Sequence, residues 1–367
     1  MKTRVGVLSA GRDCPGINSA IHWLVNSALD KDLVPIRGTM FEIIGIVDGW
    51  KGLIEVKPDK KESVKRWTTR LDGNIVRTWD RYGGTRLGTS LVNPFDPKKD
   101  RSEKVVQNMK KLGLDALIVI GGFDNLGVAY KLFREGVKVV GIPKTIDKDL
   151  SETDYTLGFD SAVNIITHDI DRLRITAGSH SRIFVVETMG RRAGWLALAG
   201  GEASAAAIIL IPEHDFVIDR VIELLKMRKK EGKRYSIVLV SEGAKPRGME
   251  EVHERRGRDG FGNYYLGGIG GFLAEEIEKR ANMEVRYVAL RHLQRGGSPT
   301  AYDRRMGRKF GIAAIDMIVN EDFGRMASLS HGEITSVPLK KALEKLNLVN
   351  VEKFYDTKDY KSKDQLL

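Results

Sequence analysis

The sequence predicts an α/β protein built on doubly wound, mainly parallel sheets. Short and nearly continuous runs of Val, Ile, Leu and Ala recur along the chain, and most lead through a glycine- or proline-bearing loop into a stretch of helical periodicity. Parallel strands covered on both faces need such runs, whereas a half-exposed strand would alternate apolar and polar residues. The chain also carries 39 glycines, many at the ends of these runs, where they suit loops that bring main chain close to a phosphate. At 367 residues the chain is long enough for about two domains.

The elements follow in order. Val5-Gly6-Val7-Leu8 reads as a strand, followed by Gly11 and a helix from about Asn18 to Leu29. Ala116 to Ile120 is a second strand, leading through Gly121-Gly122 into a helix through Leu132. A helical segment stops at Gly136, and Val137 to Ile142 then forms a strand that delivers Pro143-Lys144-Thr145-Ile146-Asp147-Lys148-Asp149. Arg182 to Val186 leads to Met189-Gly190-Arg191, and Ala205 to Leu210 to Pro212-Glu213. Ser236 to Val240 ends at Glu242-Gly243, and Arg286 to Leu290 at the loop His292 to Ser298. In sheets of this kind ligands gather at the carboxyl ends of strands, and each of these loops occupies such an end. The polar stretch Asp356 to Lys363 is expected to be a surface or partly disordered extension.

Composition excludes several classes. No apolar run approaches the ~20 residues needed to span a bilayer, and the N-terminal residues do not resemble a signal peptide. Cys14 is the single cysteine, so no intrachain disulfide can form. A cytoplasmic protein without a membrane role is expected. The net charge of +11 is dispersed over scattered lysines and arginines without interleaved aromatics, so no nucleic-acid partner is expected.

Residues 143–149 carry the clearest chemistry. Two carboxylates one residue apart, a hydroxyl and a cation at one strand end suit proton abstraction from an alcohol and transfer of an anionic group. The simpler reading of Asp147 and Asp149 is that they cap a turn.

Taken together, the loops resemble those of the 6-phosphofructokinase family. The matching segments are Cys14-Pro15-Gly16-Ile17-Asn18, Gly83-Gly84-Thr85, Lys144-Thr145-Ile146-Asp147, Leu157 to Ala162, Met189-Gly190-Arg191 and His292 to Pro299, in the family's order from about Thr3 to Arg325. The resemblance implies two α/β domains. Residues 1–158 with 294–344 would hold the phosphoryl donor. Residues 159–293 with 345–367 would hold the sugar phosphate and include the polar tail. It also implies transfer of a phosphoryl group to the 1-hydroxyl of fructose 6-phosphate. Asp147 would take the proton, Thr145 and Lys144 would flank the transferring group, and Arg191 would offset its charge. Asp149 and Asp124 would support Mg2+. Glu242, Met189, Gly190, His292 and Arg295 would bind the sugar phosphate, joined by Arg182 and Arg286 from a neighbouring subunit. This makes the protein a homo-oligomer, a dimer or a tetramer. Paired guanidinium donors suit phosphate oxygens.

On the donor side the resemblance assigns Gly11, Arg12, Gly122, Phe123, Asp124 and Asn125. Asp at position 124 and Lys at 144 match family members that use pyrophosphate. A carboxylate there repels the α-phosphate of a nucleotide, which leaves ATP as the second candidate donor. The chain departs from the pattern at four donor-side positions. Arg12 replaces a glycine, Leu91 an arginine, Phe123 an acidic metal-associated residue, and Arg291 a glycine. Phe123 cannot coordinate Mg2+, which needs oxygen ligands. The four positions are expected to converge on one pocket and to weaken turnover, with Arg12, Arg86 and Arg291 restoring positive charge. Lys148, where the family has Asn, is expected to lie between the two aspartates and lower their pKa values. The alternative is a non-catalytic or engineered ligand-binding protein on the same scaffold.

Overall fold

The computed structural model describes residues 2–33 and 37–363, with the backbone alone for 253–257. The chain opens with β1 (Lys2–Ser9), which turns through Gly11 into the helix Ile17–Ala28. Strand β2 (Met40–Ile46) lies parallel to β1, and β3 (Thr68–Leu71) pairs antiparallel at its outer edge. After the short hairpin of β4 (Phe95–Asp96) and β5 (Lys99–Asp100), β6 (Ala116–Gly121) and β7 (Val139–Pro143) extend the sheet on the other side of β1. A second, all-parallel sheet collects β8 (Ile183–Thr188), β9 (Ile208–Leu210) and β10 (Ser236–Ser241). A hairpin of β11 (His253–Arg258) and β12 (Tyr264–Leu266) follows, before β13 (Val285–Ala289) completes that sheet beside β8. The chain then returns to the first sheet with β14 (Arg325–Ser330), parallel to β7, and β15 (Glu333–Pro338), antiparallel to β14. It closes with the small hairpin of β16 (Tyr355–Asp356) and β17 (Lys361–Ser362).

The first sheet therefore runs β15-β14-β7-β6-β1-β2-β3, and the second β13-β8-β10-β9. Every residue of β6, β8 and β10 is buried, as expected for continuous apolar runs. Register aligns the loops: Gly121 pairs with Pro143, Ser241 with Thr188, and Ala289 with Glu187. The loops after β6 and β7 thus leave one edge of their sheet together, as do those after β8, β10 and β13.

Helix Ala301–Val319 packs on Ile17–Ala28 so closely that a Cβ on Gly311 would lie 2.5 Å from the carbonyl oxygen of Ala20. Phe310 is fully buried in that packing, a contribution of about 2–3 kcal/mol. The same helix supplies Asp303, whose carboxylate accepts from the amides of Gly158 (2.7 Å) and Ser161 (3.0 Å), the Ser161 hydroxyl (2.6 Å) and Tyr155 Oη (2.8 Å). These bonds satisfy the first turn of the 22-residue helix Phe159–His180 from another element.

The sequence reading corresponds to strands β1, β6, β7, β8, β9, β10 and β13. It does not anticipate the antiparallel edges. The strand before Pro212 starts at Ile208 rather than Ala205, which has a positive φ of 43°. The polar tail is not a loose extension. Tyr355 and Tyr360 are buried, Tyr355 Oη donates to the carbonyl of Ile209 (2.5 Å), and Ile209 N–H donates to the carbonyl of Tyr360 (2.7 Å). Two aromatic rings outweigh the charges around them and cover the edge of β9. No helix among the described residues is long and apolar enough to cross a membrane.

Candidate active site

A cleft of about 650 Å3 opens where the carboxyl-end loops of the two sheets meet. The first sheet lines it with residues 11–12, 91, 122–125 and the turn after β7; the second with Glu187, Met189, Arg191, Arg192, Glu242, Arg291, His292 and Arg295, while Gly190 serves the bend between Met189 and Arg191 and does not itself line the cleft. Two further walls come from the tip of the β11–β12 hairpin and from residues 344–346.

The turn after β7 is held from three directions. Thr145 Oγ1 accepts the Asp147 amide (3.1 Å), and Thr156 Oγ1 donates to the Thr145 carbonyl (2.7 Å). From far along the chain, Asn347 donates its amide N–H to the Asp149 carbonyl (2.9 Å) and its side chain to the Lys148 carbonyl (2.8 Å). Asn347 is itself fixed by Trp195 Nε1, which donates to its carbonyl (2.9 Å). The result aims two carboxylates into the cleft with one buried oxygen each, Asp147 Oδ1 and Asp149 Oδ1, lacking a hydrogen-bond partner. Burial, reinforced by the charge of Asp147, pushes the Asp149 carboxyl up to about 7. Glu242, across the cleft, is pushed up to about 7 by burial together with Asp147 and Glu187.

The expectation for Lys148 is overturned. Its ammonium does not lie between the aspartates but stacks over the rings of Phe159 (5.3 Å) and Trp195 (5.1 Å). Asp149 accordingly titrates above the carboxylate range rather than below it. The cause is backbone conformation: Lys148 has φ of 53°, in the left-handed region where Asn is tolerated and a long side chain is turned out of the carboxylate row.

On the acceptor side, Met189 is buried and its amide donates to Gln294 Oε1 (3.2 Å). Arg295 is buried, donates through Nη1 to the Asp13 carbonyl (3.1 Å), and has Nε without a partner. A buried guanidinium with donors left over is an anion receptor in waiting. His292 lines the same wall from an exposed position. Arg182 and Arg286 do not line the cleft of their own chain. Both lie at the opposite ends of their strands, where they converge on the exposed carboxylate of Glu284 at 2.7 and 2.6 Å.

The donor side brings the expected residues together and changes what some of them do. Arg12, Leu91, Phe123 and Arg291 all line the one cleft. Arg86 does not: it is exposed and stacks on Tyr82 (4.7 Å). Gly11 has φ of 82°, and a Cβ there would lie 2.5 Å from Asn125 Nδ2, so only glycine fits. Asn125 is buried and accepts from Trp50 Nε1 (3.1 Å). Lys144 is buried, with its ammonium donating to the carbonyls of Ala10 (3.0 Å) and Arg12 (2.5 Å); burial lowers its pKa. It braces the first loop as well as facing the cleft. Phe123 opens the helix Phe123–Arg134 after Gly122 and packs on the apolar cluster beneath the first sheet. Asp124 receives Asn263 Nδ2 (3.1 Å) and faces Arg191 Nη1 (3.7 Å); burial raises its pKa although Arg191 opposes the shift.

Sequence reasoning missed the hairpin tip altogether. Asp259, Phe261, Asn263 and Tyr265 all line the cleft. Asp259 Oδ2 lies 3.4 Å from Arg191 Nη2, and the Tyr265 ring lies 5.3 Å from the Arg12 guanidinium. The pairs Asp259-Gly260 and Gly262-Asn263 are turn signals that could have flagged it. Among the described residues no group of three or more His, Cys, Asp or Glu is arranged to hold a metal ion.

Comparisons with known proteins identify the family. The profile of the phosphofructokinase family matches residues 4–318. The pyrophosphate–fructose 6-phosphate 1-phosphotransferase of Amycolatopsis methanolica is 44% identical over 352 residues, 96% of this chain and 97% of that protein. The ATP-dependent 6-phosphofructokinase of Chloroflexus aurantiacus is 41% identical over 355 residues, 95% of this chain and 93% of that protein. The crystal structure of a pyrophosphate-dependent phosphofructokinase from Nitrosospira multiformis superposes with a TM-score of 0.81 over 99% of this chain and 89% of that one; at 20% identity it bears on the fold alone.

Proposed function

The chain belongs to the phosphofructokinase family, and from that premise we propose that it transfers a phosphoryl group from pyrophosphate to the 1-hydroxyl of fructose 6-phosphate in the cytoplasm. The observation that carries the reading is the convergence of the Thr145–Asp149 turn, Arg191, Glu242 and Arg295 on one cleft. The Asp147 carboxylate takes the proton of the sugar hydroxyl as the C1–O–P bond forms and the bridging P–O bond of the donor breaks, releasing phosphate. Arg191 offsets the charge that builds on the transferring group. Arg295 and His292 hold the hexose phosphate, with Glu242 and Met189 around the sugar.

Relatives with either donor are nearly equally similar, at 44% and 41%, so the donor is argued from residues. Asp124 and Lys144 support pyrophosphate over ATP. The partnerless oxygen of Asp149 fits Mg2+ held mainly by phosphate oxygens and water, whereas Asp124, the second carboxylate expected there, is engaged by Asn263 and Arg191. Bound there, Mg2+ supplies charge neutralisation on the phosphates. Phe123 contributes nothing to such an ion, and turnover is expected to be low. Residues 1–158 with 294–344 serve the donor, and 159–293 with 345–367 the sugar phosphate. Arg182 and Arg286 serve a second copy of the chain in a homo-oligomer.

Coupled assays of the purified protein with fructose 6-phosphate, Mg2+ and either pyrophosphate or ATP test the reading. Fructose 1,6-bisphosphate is expected with pyrophosphate, and its absence with both donors removes the kinase reading. A second reading, a ligand-binding protein without turnover, draws on the apolar donor wall of Leu91, Phe123 and Phe261. It predicts a bound non-phosphate molecule against those side chains.

A further inference from the structure

We propose that the tip of the β11–β12 hairpin belongs to the phosphoryl-transfer apparatus, with Asp259 positioning Arg191. The proposal rests on the kinase reading above. Arg191 sits at a backbone φ of 47°, a conformation held by its surroundings rather than by its own preference. Its guanidinium lies between two carboxylates, Asp124 at 3.7 Å and Asp259 at 3.4 Å. The Asp259 side chain is 4% exposed against 34% for Asp124. The hairpin partner is thus the less screened and the nearer of the two, and Arg191 Nη2 donates a hydrogen bond to it.

Asp259 divides its oxygens between two tasks. Oδ1 accepts the amides of Phe261 and Asn263, each at 3.0 Å, which fixes the turn. Oδ2 is left to face Arg191. Asn263, fixed by that turn, donates onward to Asp124 at 3.1 Å, so the tip sets both carboxylates around the guanidinium. The tip is seated on the opposite wall: a Cβ on Gly260 would lie 2.3 Å from the Leu91 carbonyl oxygen. A segment leaving the second sheet therefore crosses the donor half of the cleft and aims the cation that the chemistry needs.

Asp259→Asn separates the two tasks. Its side-chain oxygen still accepts both turn amides, while an NH2 group replaces the oxygen facing Arg191, so the turn stays and the grip is lost. We expect kcat to fall about 10–100-fold with KM for fructose 6-phosphate within about threefold. Pyrophosphate affinity, measured by calorimetry without hexose phosphate, should tighten about two- to fivefold, because the guanidinium released from Asp259 is left to the pyrophosphate. In an Arg191→Lys background the same change should alter kcat less than about threefold. Gly260→Ala, which keeps both charges but lifts the tip from Leu91, should reproduce the loss of kcat. An unchanged kcat in Asp259→Asn, or equal losses in both backgrounds, overturns the proposal. If the parent protein turns over neither donor, the kinase reading fails by itself. The proposal is then judged on pyrophosphate affinity: tightening that disappears in the Arg191→Lys background supports it, and unchanged affinity overturns it.

Discussion

The two halves of the cleft are built alike and differ in how their cations are engaged. Both rest on carboxyl-end loops of parallel strands, both bury cations, and they share the turn after β7. On the acceptor side the polar atoms still face inward: Arg295 keeps donors to spare, and Glu242 is buried unionised up to about pH 7. On the donor side the cations are engaged within the protein. Lys144 braces two carbonyls, Arg12 stacks on Tyr265, and Arg191 is held by Asp124 and Asp259. The lesson is that a charged residue in a pocket is available to a ligand only where its own neighbours have left donors uncommitted.

That contrast can be broken from either side. The largest effect is expected at the shared turn: Asp147→Asn should lower kcat about 10²–10⁴-fold, measured by coupled assay, and a loss under threefold would mean that the proton goes elsewhere. Next, restoring the donor wall with Leu91→Arg and Phe123→Asp together should raise turnover about tenfold or more, if that wall limits the rate. No gain would move the limiting defect away from those positions.

A smaller effect tests the acceptor side through pH. The carboxyl of Glu242 titrates near 7, above its ordinary 4.5, so the uncharged form is the one the fold favours. Stability from this group is full below about pH 4.5 and is lost as pH rises through about 7. Glu242→Gln should therefore raise Tm by a few degrees at pH 8 and leave it unchanged at pH 4, checked by calorimetry at the two pH values. A pH-independent difference would mean that Glu242 is not buried as a neutral acid. The smallest effect compares two left-handed residues, Lys148 and Arg291, at φ of 53° and 41°. Arg291→Gly should stabilise by about 0.5 kcal/mol or less, because relief of the backbone is partly offset by loss of its hydrogen bond with Tyr287. Lys148→Asn should come out near zero, because relief of backbone strain is offset by loss of the two aromatic contacts, as denaturant midpoints would show.

Much of this was legible from residues alone. The inner strands announce themselves because both faces are covered, and the loop motifs because only certain residues tolerate the geometry, as at Gly11. What stayed hidden was orientation and distance along the chain. Nothing in Ile146-Asp147-Lys148-Asp149 tells that Lys148 turns toward Phe159 and Trp195. The hairpin from His253 to Leu266 is polar and arginine-rich, so it shows no burial pattern, though its turn residues do stand in the sequence. The burial of Tyr360 is hidden because the lysines and aspartates around it dominate the composition of Asp356 to Lys363.

The hold of Asn347 on the turn after β7 joins positions 199 apart in sequence. During synthesis the first sheet's inner strands emerge long before that asparagine does, so a nascent chain carries its two acidic side chains on a turn with nothing yet clamping it from behind. Assembly of the reacting geometry therefore waits for a stretch that follows every strand of the two main sheets. A chain stopped at residue 343 is expected to build its inner strands, as circular dichroism would show, yet to process no substrate.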